Sequence, residues 1–394
     1  MKALWIGIAL NPEQRVRLQQ KGTKLLSGYV SQQNFLDGLD ALKIDMDSLN
    51  SYKISPSVMP VVERNVWSRN GRSQDISVGY RNVRYINHLF REHSLIREAK
   101  GWAAQHRAEK DVVVFVYSMH SPFMAAAAAV KKIIPHARIC LIVLDLPQYM
   151  DLAMSSLKKL LKRVDWLHIR RLMRAVDKYV LYAAPMAEFL KLEDGCWTVI
   201  EGSYDSELLA QNVQKDHGRV SVMYSGVLDM RYGIPELLDA MKLLDDRFEL
   251  WLTGNGNAVP LIEQRASEDA RIKFYGYLPS RQELIDKQAS ATMMISPRRD
   301  TEAASRYCFP SKIFEYMASG NPVISCMLDG IPKAYFDYLL PLKHVSAQEI
   351  ADVVNRVADM PPEERAELGR NTKQFVESKN KYMQAQALLE FVQM

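Results

Sequence analysis

The chain has 394 residues, of which 25% are charged and 48% hydrophobic, a balance that excludes a disordered or fibrous protein and implies two domains or one large one. A formal charge of +5 is too small to argue for a nucleic-acid partner, although it leaves room for a local basic face turned toward an acidic substrate or a lipid surface. Cys140, Cys196, Cys308 and Cys326 are widely spaced, with no CxxC and no histidine pairing, so they read as reduced thiols of a cytosolic protein rather than zinc ligands.

No apolar run approaches the roughly 20 residues needed to span a bilayer. Residues 1–10 could pass for a signal peptide, but no small-residue pair precedes Asn11-Pro12-Glu13-Gln14, and residues 3–10 are expected to be a first buried strand. Residues 24–31 suggest a loop that leads to a helix over 31–39. Asp45-Met46-Asp47 has DxD spacing but lies in a polar stretch with no strand signature before it. Residues 60–110 are polar and rich in arginine, ending in a helical run over 83–108.

Residues 111–117 form the continuous apolar run of a strand covered on both faces. Ser118-Met119-His120-Ser121-Pro122 caps it, 124–134 is an alanine-rich helix, and 138–144 is the next strand, ending at Asp145-Leu146-Pro147-Gln148-Tyr149. Open α/β sheets bind ligands at such carboxyl ends. His120 there reads either as a substrate contact or as a hydrogen-bonded structural histidine.

Residues 157–178 carry Lys158, Lys159, Lys162, Arg163, Arg170, Arg171, Arg174 and Lys178 against Asp165 and Asp177, interleaved with leucines and Trp166. Two readings stand: a basic amphipathic helix on an anionic membrane surface, or a solvated helix packing its leucines on the sheet. Two short strands follow at 179–182 and 197–200, and the polar stretch between Ser203 and Gly218 is expected to connect two domains.

The alternation then restarts, with strands at 220–226, 248–254, 272–278 and 292–296 and helices near 234–244 and 281–289. Strand after strand ends in glycine, serine or proline on one edge of a sheet, the expected nucleotide pocket. The most informative stretch comes last, Cys308-Phe309-Pro310-Ser311-Lys312-Ile313-Phe314-Glu315-Tyr316-Met317-Ala318-Ser319-Gly320-Asn321-Pro322-Val323-Ile324-Ser325. Pro310 suits a first helical turn, Ser311 can cap free amides, and Gly320 with Pro322 stops the helix before a buried strand. The amino end of such a helix favours an anion, with roughly half a unit charge. Glu315, about one turn deeper, can accept hydrogen bonds from neutral hydroxyls. An anion beside a diol describes a nucleotide diphosphate and its ribose.

This stretch resembles the C-terminal signature of GT-B glycosyltransferases of the retaining family 4 type, in which a carboxylate-bearing helix follows Phe-Pro and ends Met-Ala-x-Gly-x-Pro-Val-Ile. The resemblance implies an α/β fold of the GT-B kind, two Rossmann-like doubly wound parallel-sheet domains facing across a cleft. The expected divisions are 1–203 for the acceptor, 204–374 for the nucleotide sugar, and 375–394 as a terminal helix returning to the first domain.

The family pattern has two glutamates, and the position of the first is Tyr307 here, with Glu302 close enough upstream to substitute. Gly226 falls where a glycine-ended strand meets the diphosphate. Val227 stands at the usual arginine, and the cation falls on Arg231, with Lys312, Arg298 and Arg299 as alternatives. The resemblance further assigns Gly254 and Asn255 to the nucleotide-side turn, Tyr277 and Leu278 to the base, and Phe309, Pro310, Ser311, Lys312, Ile313 and Glu315 to the donor site. On the acceptor side it points to Gly28, equally readable as an ordinary turn glycine, to Asp145, equally a turn cap, and to His120 and Tyr149. Arg231, Lys312, Glu315 and Asp145 are the expected catalytic residues.

The implied reaction is transfer of a sugar from a nucleotide diphosphate donor, a UDP-sugar in the first instance, to a glycan or lipid-linked acceptor in surface polysaccharide assembly. No cofactor or metal is expected, and the place of action is the cytoplasm, with peripheral contact at the inner membrane face. The rivals are a nucleotide-sugar epimerase of the same fold and a catalytically silent scaffold.

Overall fold

The computed structural model describes residues 1–20, 27–84, 86–149, 156–205, 207, 210, 213, 215, 218–278, 280–299 and 305–394. Glu302, residues 24–26 and the side chains of Leu157, Lys158 and Lys159 lie outside them.

In chain order the elements are β1 (Lys2–Gly7), α1 (Pro12–Gln20), α2 (Ser27–Ala41), β2 (Asp45–Asn50), β3 (Val61–Val62), β4 (Asn65–Trp67), β5 (Asp75–Ser77), β6 (Tyr80–Arg81), α3 (Asn87–Gln105), β7 (Val112–Tyr117), α4 (Ser121–Ile133), β8 (Arg138–Val143), α5 (Ser156–Leu172), β9 (Lys178–Leu181), α6 (Pro185–Leu190) and β10 (Trp197–Val199). They continue with β11 (Val220–Val227), α7 (Ile234–Ala240), β12 (Phe248–Asn255), α8 (Val259–Glu268), β13 (Ile272–Phe274), α9 (Arg281–Ser290), β14 (Met293–Ser296), α10 (Lys312–Ala318), β15 (Val323–Cys326), β16 (Leu340–Leu342), α11 (Ala347–Ala358), α12 (Pro362–Glu377) and α13 (Lys381–Gln393).

The chain divides into a unit of residues 1–203 with 381–394 and a unit of residues 204–380. The first holds a sheet of order β10-β9-β8-β7-β1-β2-β5-β4, parallel apart from the β4–β5 pair. Every residue of β7 is buried, as its unbroken apolar run requires when helices cover both faces. Trp5 of β1 stacks on Tyr117 at 5.6 Å and lies 6.4 Å from Phe35 of α2.

Among the described residues no strand leads directly into Asp45-Met46-Asp47; these residues instead open β2. The segment Asp-Met-Asp-Ser-Leu-Asn is polar yet buried, because distant partners satisfy it: Asp47 accepts from Trp102 Nε1 at 2.9 Å and pairs with Lys2 Nζ at 2.9 Å. Asn50 Oδ1 accepts from the Ala9 amide at 2.9 Å. Helix α2 likewise begins at Ser27, earlier than expected, so Gly28 sits in a helical turn rather than a loop.

The second unit is a six-stranded parallel sheet of order β13-β12-β11-β14-β15-β16. Strand order reverses between β11 and β14, and the crevice outside their carboxyl ends is where such sheets bind ligands. The terminal helix expected over 375–394 is broken: α12 runs to Glu377 and α13 starts at Lys381. Ser378 Oγ donates to the Phe375 carbonyl at 2.7 Å and Asn380 Nδ2 to the Glu377 carbonyl at 2.8 Å, ending α12. Helix α13 then packs on α2, where a Cβ at Gly38 would come within 2.4 Å of the Lys381 carbonyl oxygen. Among the described residues no helix is long and apolar enough to cross a membrane.

Candidate functional site

The site of the second unit is built on two glycines in register. Gly226, next to last in β11, has φ +127° and pairs with Gly254 of β12, φ +138°. A Cβ on Gly254 would stand 1.8 Å from the Gly226 carbonyl oxygen, so the two strand ends approach as only glycine permits. The Gly276 carbonyl accepts from the Gly254 amide at 2.8 Å and from Thr253 Oγ1 at 2.7 Å, which ties the stretch before Tyr277 and Leu278 to the same turn. Asn255 is exposed on its outer side, and Tyr277 is exposed as well.

Helix α10 is fastened to this edge by a buried tyrosine. Tyr316 Oη accepts from the Ser225 amide at 2.9 Å and donates to the Ser225 carbonyl at 2.7 Å. Gln288 Nε2 holds Ser225 Oγ at 2.8 Å, and Asn321 Nδ2 holds the Gln288 carbonyl at 2.8 Å. Lys312, the first residue of α10, is thereby set beside Gly226, where a Cβ would be 3.3 Å from its Nζ. The ammonium donates to Tyr224 Oη at 2.6 Å, lies 3.9 Å over that ring, and Tyr224 in turn donates to the Val227 carbonyl at 2.7 Å. Burial, together with the nearby Arg298 guanidinium, pulls the Lys312 pKa down to about 7 against the opposing pull of Glu315.

The four candidate cations fare differently. Arg231 is held by its own neighbour: its amide and Nε reach Asp229 Oδ1 at 2.9 Å each, and Nη2 reaches Oδ2 at 2.9 Å. Arg299 is paired with Glu236. Arg298 Nε instead donates to Ser305 Oγ at 3.2 Å, and its guanidinium lies 4.9 Å over the Tyr232 ring, with no carboxylate partner among the described residues. Lys312 and Arg298 are therefore the cations left open.

Capping of α10 differs from expectation. Ser311 adopts helical angles (φ −52°, ψ −24°) and its side chain makes no cap hydrogen bond. The Ile313 amide bonds to the Pro310 carbonyl at 2.8 Å and that of Phe314 to Ser311 at 3.2 Å, so these amides are engaged and positive charge at the site comes from side chains. Phe309, Pro310 and Ile313 are buried, Phe309 against Phe314 and Tyr335 at 5.0 and 5.4 Å, which makes their side chains core rather than lining. Glu315 is half-buried and lines a pocket with Arg281, Ile285, Gln288, Ser319 and Lys373, and its carboxylate makes no hydrogen bond or ion pair among the described residues.

In the first unit, Gly28 and Asp145 come together around two tyrosines. Tyr117 Oη donates to the Gly28 carbonyl at 2.8 Å, and Tyr182 Oη is 2.6 Å from Ser31 Oγ. Burial holds the Tyr182 pKa up near 12, with exposed Asp145 adding to the rise. Burial, followed by the charges of Arg91 and Lys53, lowers the His120 pKa to about 4, so it is neutral at physiological pH. Tyr149 packs edge-on against Phe189 at 5.9 Å. The tyrosines Tyr117, Tyr182, Tyr224 and Tyr316 were not singled out from sequence; a tyrosine inside an apolar strand or helix needs a partner for its hydroxyl, and that is the signal that could have found them.

Residues 219–359 match the family model described as glycosyl transferases group 1. Over the whole chain, the structure of HepE from Anabaena in complex with UDP superposes with a TM-score of 0.67 at 12% identity, covering 100% of both chains. The chain has the GT-B fold. The lipopolysaccharide outer core galactosyltransferase WaaB in its apo form gives a TM-score of 0.65 at 11% identity, covering 100% of this chain and 99% of that one. An α,α-trehalose-phosphate synthase (UDP-forming) from Burkholderia xenovorans in complex with glucose-6-phosphate gives 0.65 at 12%, with 100% of each chain covered. No curated protein matches the sequence. The matched residues all lie in the second unit of this GT-B chain.

Proposed function

We propose that the protein transfers a hexosyl group from a UDP-sugar to a glycan or lipid-linked acceptor in surface polysaccharide assembly, with retention of configuration. The observation that carries this reading is the pair of open cations, Lys312 and Arg298, placed at the carboxyl ends of β11 and β14 beside the Gly226–Gly254 turn. As the bond from the sugar carbon to the diphosphate breaks, these two side chains meet the charge that develops on the departing oxygen, in a setting where fixed charges act more strongly than in water. Glu315, with its lone pairs unclaimed, accepts from the ribose hydroxyls. Gly254, Asn255, Tyr277 and Leu278 border the base. The acceptor hydroxyl attacks from the side the diphosphate leaves, and Asp145, with Gly28, belongs to the acceptor side together with His120 and Tyr149. Four free thiols suit a reducing, cytoplasmic setting. HepE was crystallised with UDP, which supports the choice of base.

A panel of UDP-, GDP- and ADP-sugars, followed by mass detection of hydrolysis and transfer, tests the reading. Hydrolysis of one donor class is expected. Glu315→Ala is expected to weaken UDP binding about tenfold and to remove the preference for UDP over 2′-deoxy-UDP, with the melt unchanged. Turnover of no nucleotide sugar, or undiminished preference in the variant, overturns it.

A further inference from the structure

Helix α5 carries two apolar faces, and one of them is covered. Ile169 is 1% exposed and Trp166 packs on Phe189 at 6.1 Å. On the other side Leu160, Leu161, Val164 and Leu167 are 56, 50, 58 and 60% exposed. At 3.6 residues per turn, 160, 164 and 167 fall on one stripe. Arg163 and Arg170 are exposed on its flank, Arg171 continues the stripe one turn beyond Leu167, Arg174 is exposed just past the end of the helix, and none pairs with a carboxylate among the described residues. Three other arginines of the unit are paired, Arg64 with Glu98 at 3.0 Å, Arg69 with Asp40 at 2.9 Å and Arg138 with Asp111 at 2.5 Å, whereas the four near α5 stand clustered beside the exposed aliphatic stripe.

The helix is seated so that this face stays outward. Asp165 pairs with His88 at 3.4 Å and His168 with Glu92 at 3.2 Å, both on α3, while Ser121 of α4 donates to Asp165. The first turn of α3, on the far side of that seam, adds exposed Leu89 and Phe90, with Ile86 just before it. A helix with nothing to meet would present charge of both signs to water, since exposed aliphatic stripes invite association.

We infer that this face docks the protein on an anionic lipid bilayer, with α5 lying in the headgroup plane, Leu160, Val164 and Leu167 in the acyl boundary and the four arginines on lipid phosphates. The inference deepens the lipid-linked acceptor reading and rests on it only for its biological purpose. A second copy of the chain fits the face poorly, because a two-fold contact would set the same unpaired arginines against one another. A nucleic acid fits poorly too, because the centre of the face is aliphatic.

Sedimentation with vesicles of phosphatidylglycerol and phosphatidylcholine, against phosphatidylcholine alone, tests it with the full chain. Partition onto the anionic vesicles alone is expected, weakening as salt rises. The variant R163Q/R170Q/R171Q/R174Q should lose about 100-fold or more in partition, and L160Q/V164Q/L167Q about tenfold or more. All these positions face solvent, so both variants should keep the parental melt and UDP affinity. Absence of partition by the unaltered protein, variants that partition like it, or a dimer in solution that these substitutions dissolve would each overturn the inference. Loss of UDP binding with partition intact would instead count against the nucleotide-sugar reading.

Discussion

Lys312 offers the most discriminating test of the donor site, because its protonation state and its proposed task pull in opposite directions. In the free protein its pKa sits at about 7, set by burial and by Arg298. A diphosphate placed beside it would stabilise the ammonium and raise that value, so binding takes up a proton throughout the window between about 7 and the bound pKa. The sign follows: affinity must fall as pH rises above 7. If the bound state is fully protonated, affinity tracks the protonated fraction of the free protein, about one half at pH 7 and about one hundredth at pH 9. The Kd for UDP should therefore rise about 50-fold, or about 2.3 kcal/mol, over that interval. The terminal phosphate of the ligand, with a pKa of about 6, stays ionised across the same range and does not obscure the effect. Calorimetry at pH 8 in two buffers of different ionisation enthalpy should register uptake of about 0.9 proton. Lys312→Met should bind more weakly at every pH and lose the slope. An affinity independent of pH in the unaltered protein, or the same slope in the variant, refutes the argument that this lysine holds the diphosphate.

Three further outcomes follow from the same edge of the sheet. Arg298→Ala should weaken UDP binding about 100-fold, while Arg231→Ala, whose guanidinium is already held by Asp229, should change it less than about threefold; reversal of that ranking in titration calorimetry would return the diphosphate to Arg231. Gly254→Ala brings a methyl against the Gly226 carbonyl at a backbone angle L-residues avoid, which costs about 3 kcal/mol or more, so a melt lowered by about 5 to 10 °C is expected and an unchanged one contradicts the geometry. Tyr316→Phe strips both backbone partners of Ser225 at once, leaving a buried amide and carbonyl unsatisfied at about 1 to 3 kcal/mol; thermal denaturation at fixed protein concentration reads this loss.

How far the sequence disclosed this molecule depends on whether the deciding contacts were local. Strands β7, β8, β12 and β14 could be read directly, because a strand covered on both faces must be apolar throughout. Strand β2 could not. Its aspartates and asparagine are tolerable inside a sheet only because Lys2, Trp102 and the Ala9 backbone, all distant in sequence, supply their partners. The break between α12 and α13 was in principle legible, since Ser378 and Asn380 return their side chains to carbonyls three residues back.

The candidate site divides along the same line. A stretch from Phe309 to Ile324 announces the α10–β15 unit, yet which cation stays open is a question of pairing. Asp229 claims Arg231 from two residues away, a contact that alternation of apolar and polar residues does not reveal, and Glu236 claims Arg299 from the far side of the sheet edge. Arg298 remains open because its neighbours Ser305, Cys308 and Tyr232 offer hydrogen-bond acceptors and a ring face but no counter-charge. Two positive groups with no ion-paired carboxylate among the described residues, one of them half-deprotonated near neutral pH, repel each other. A bound anion would relieve that repulsion, so under the proposed reading the same arrangement that disfavours the free state would favour a diphosphate, whose two phosphates can satisfy both cations.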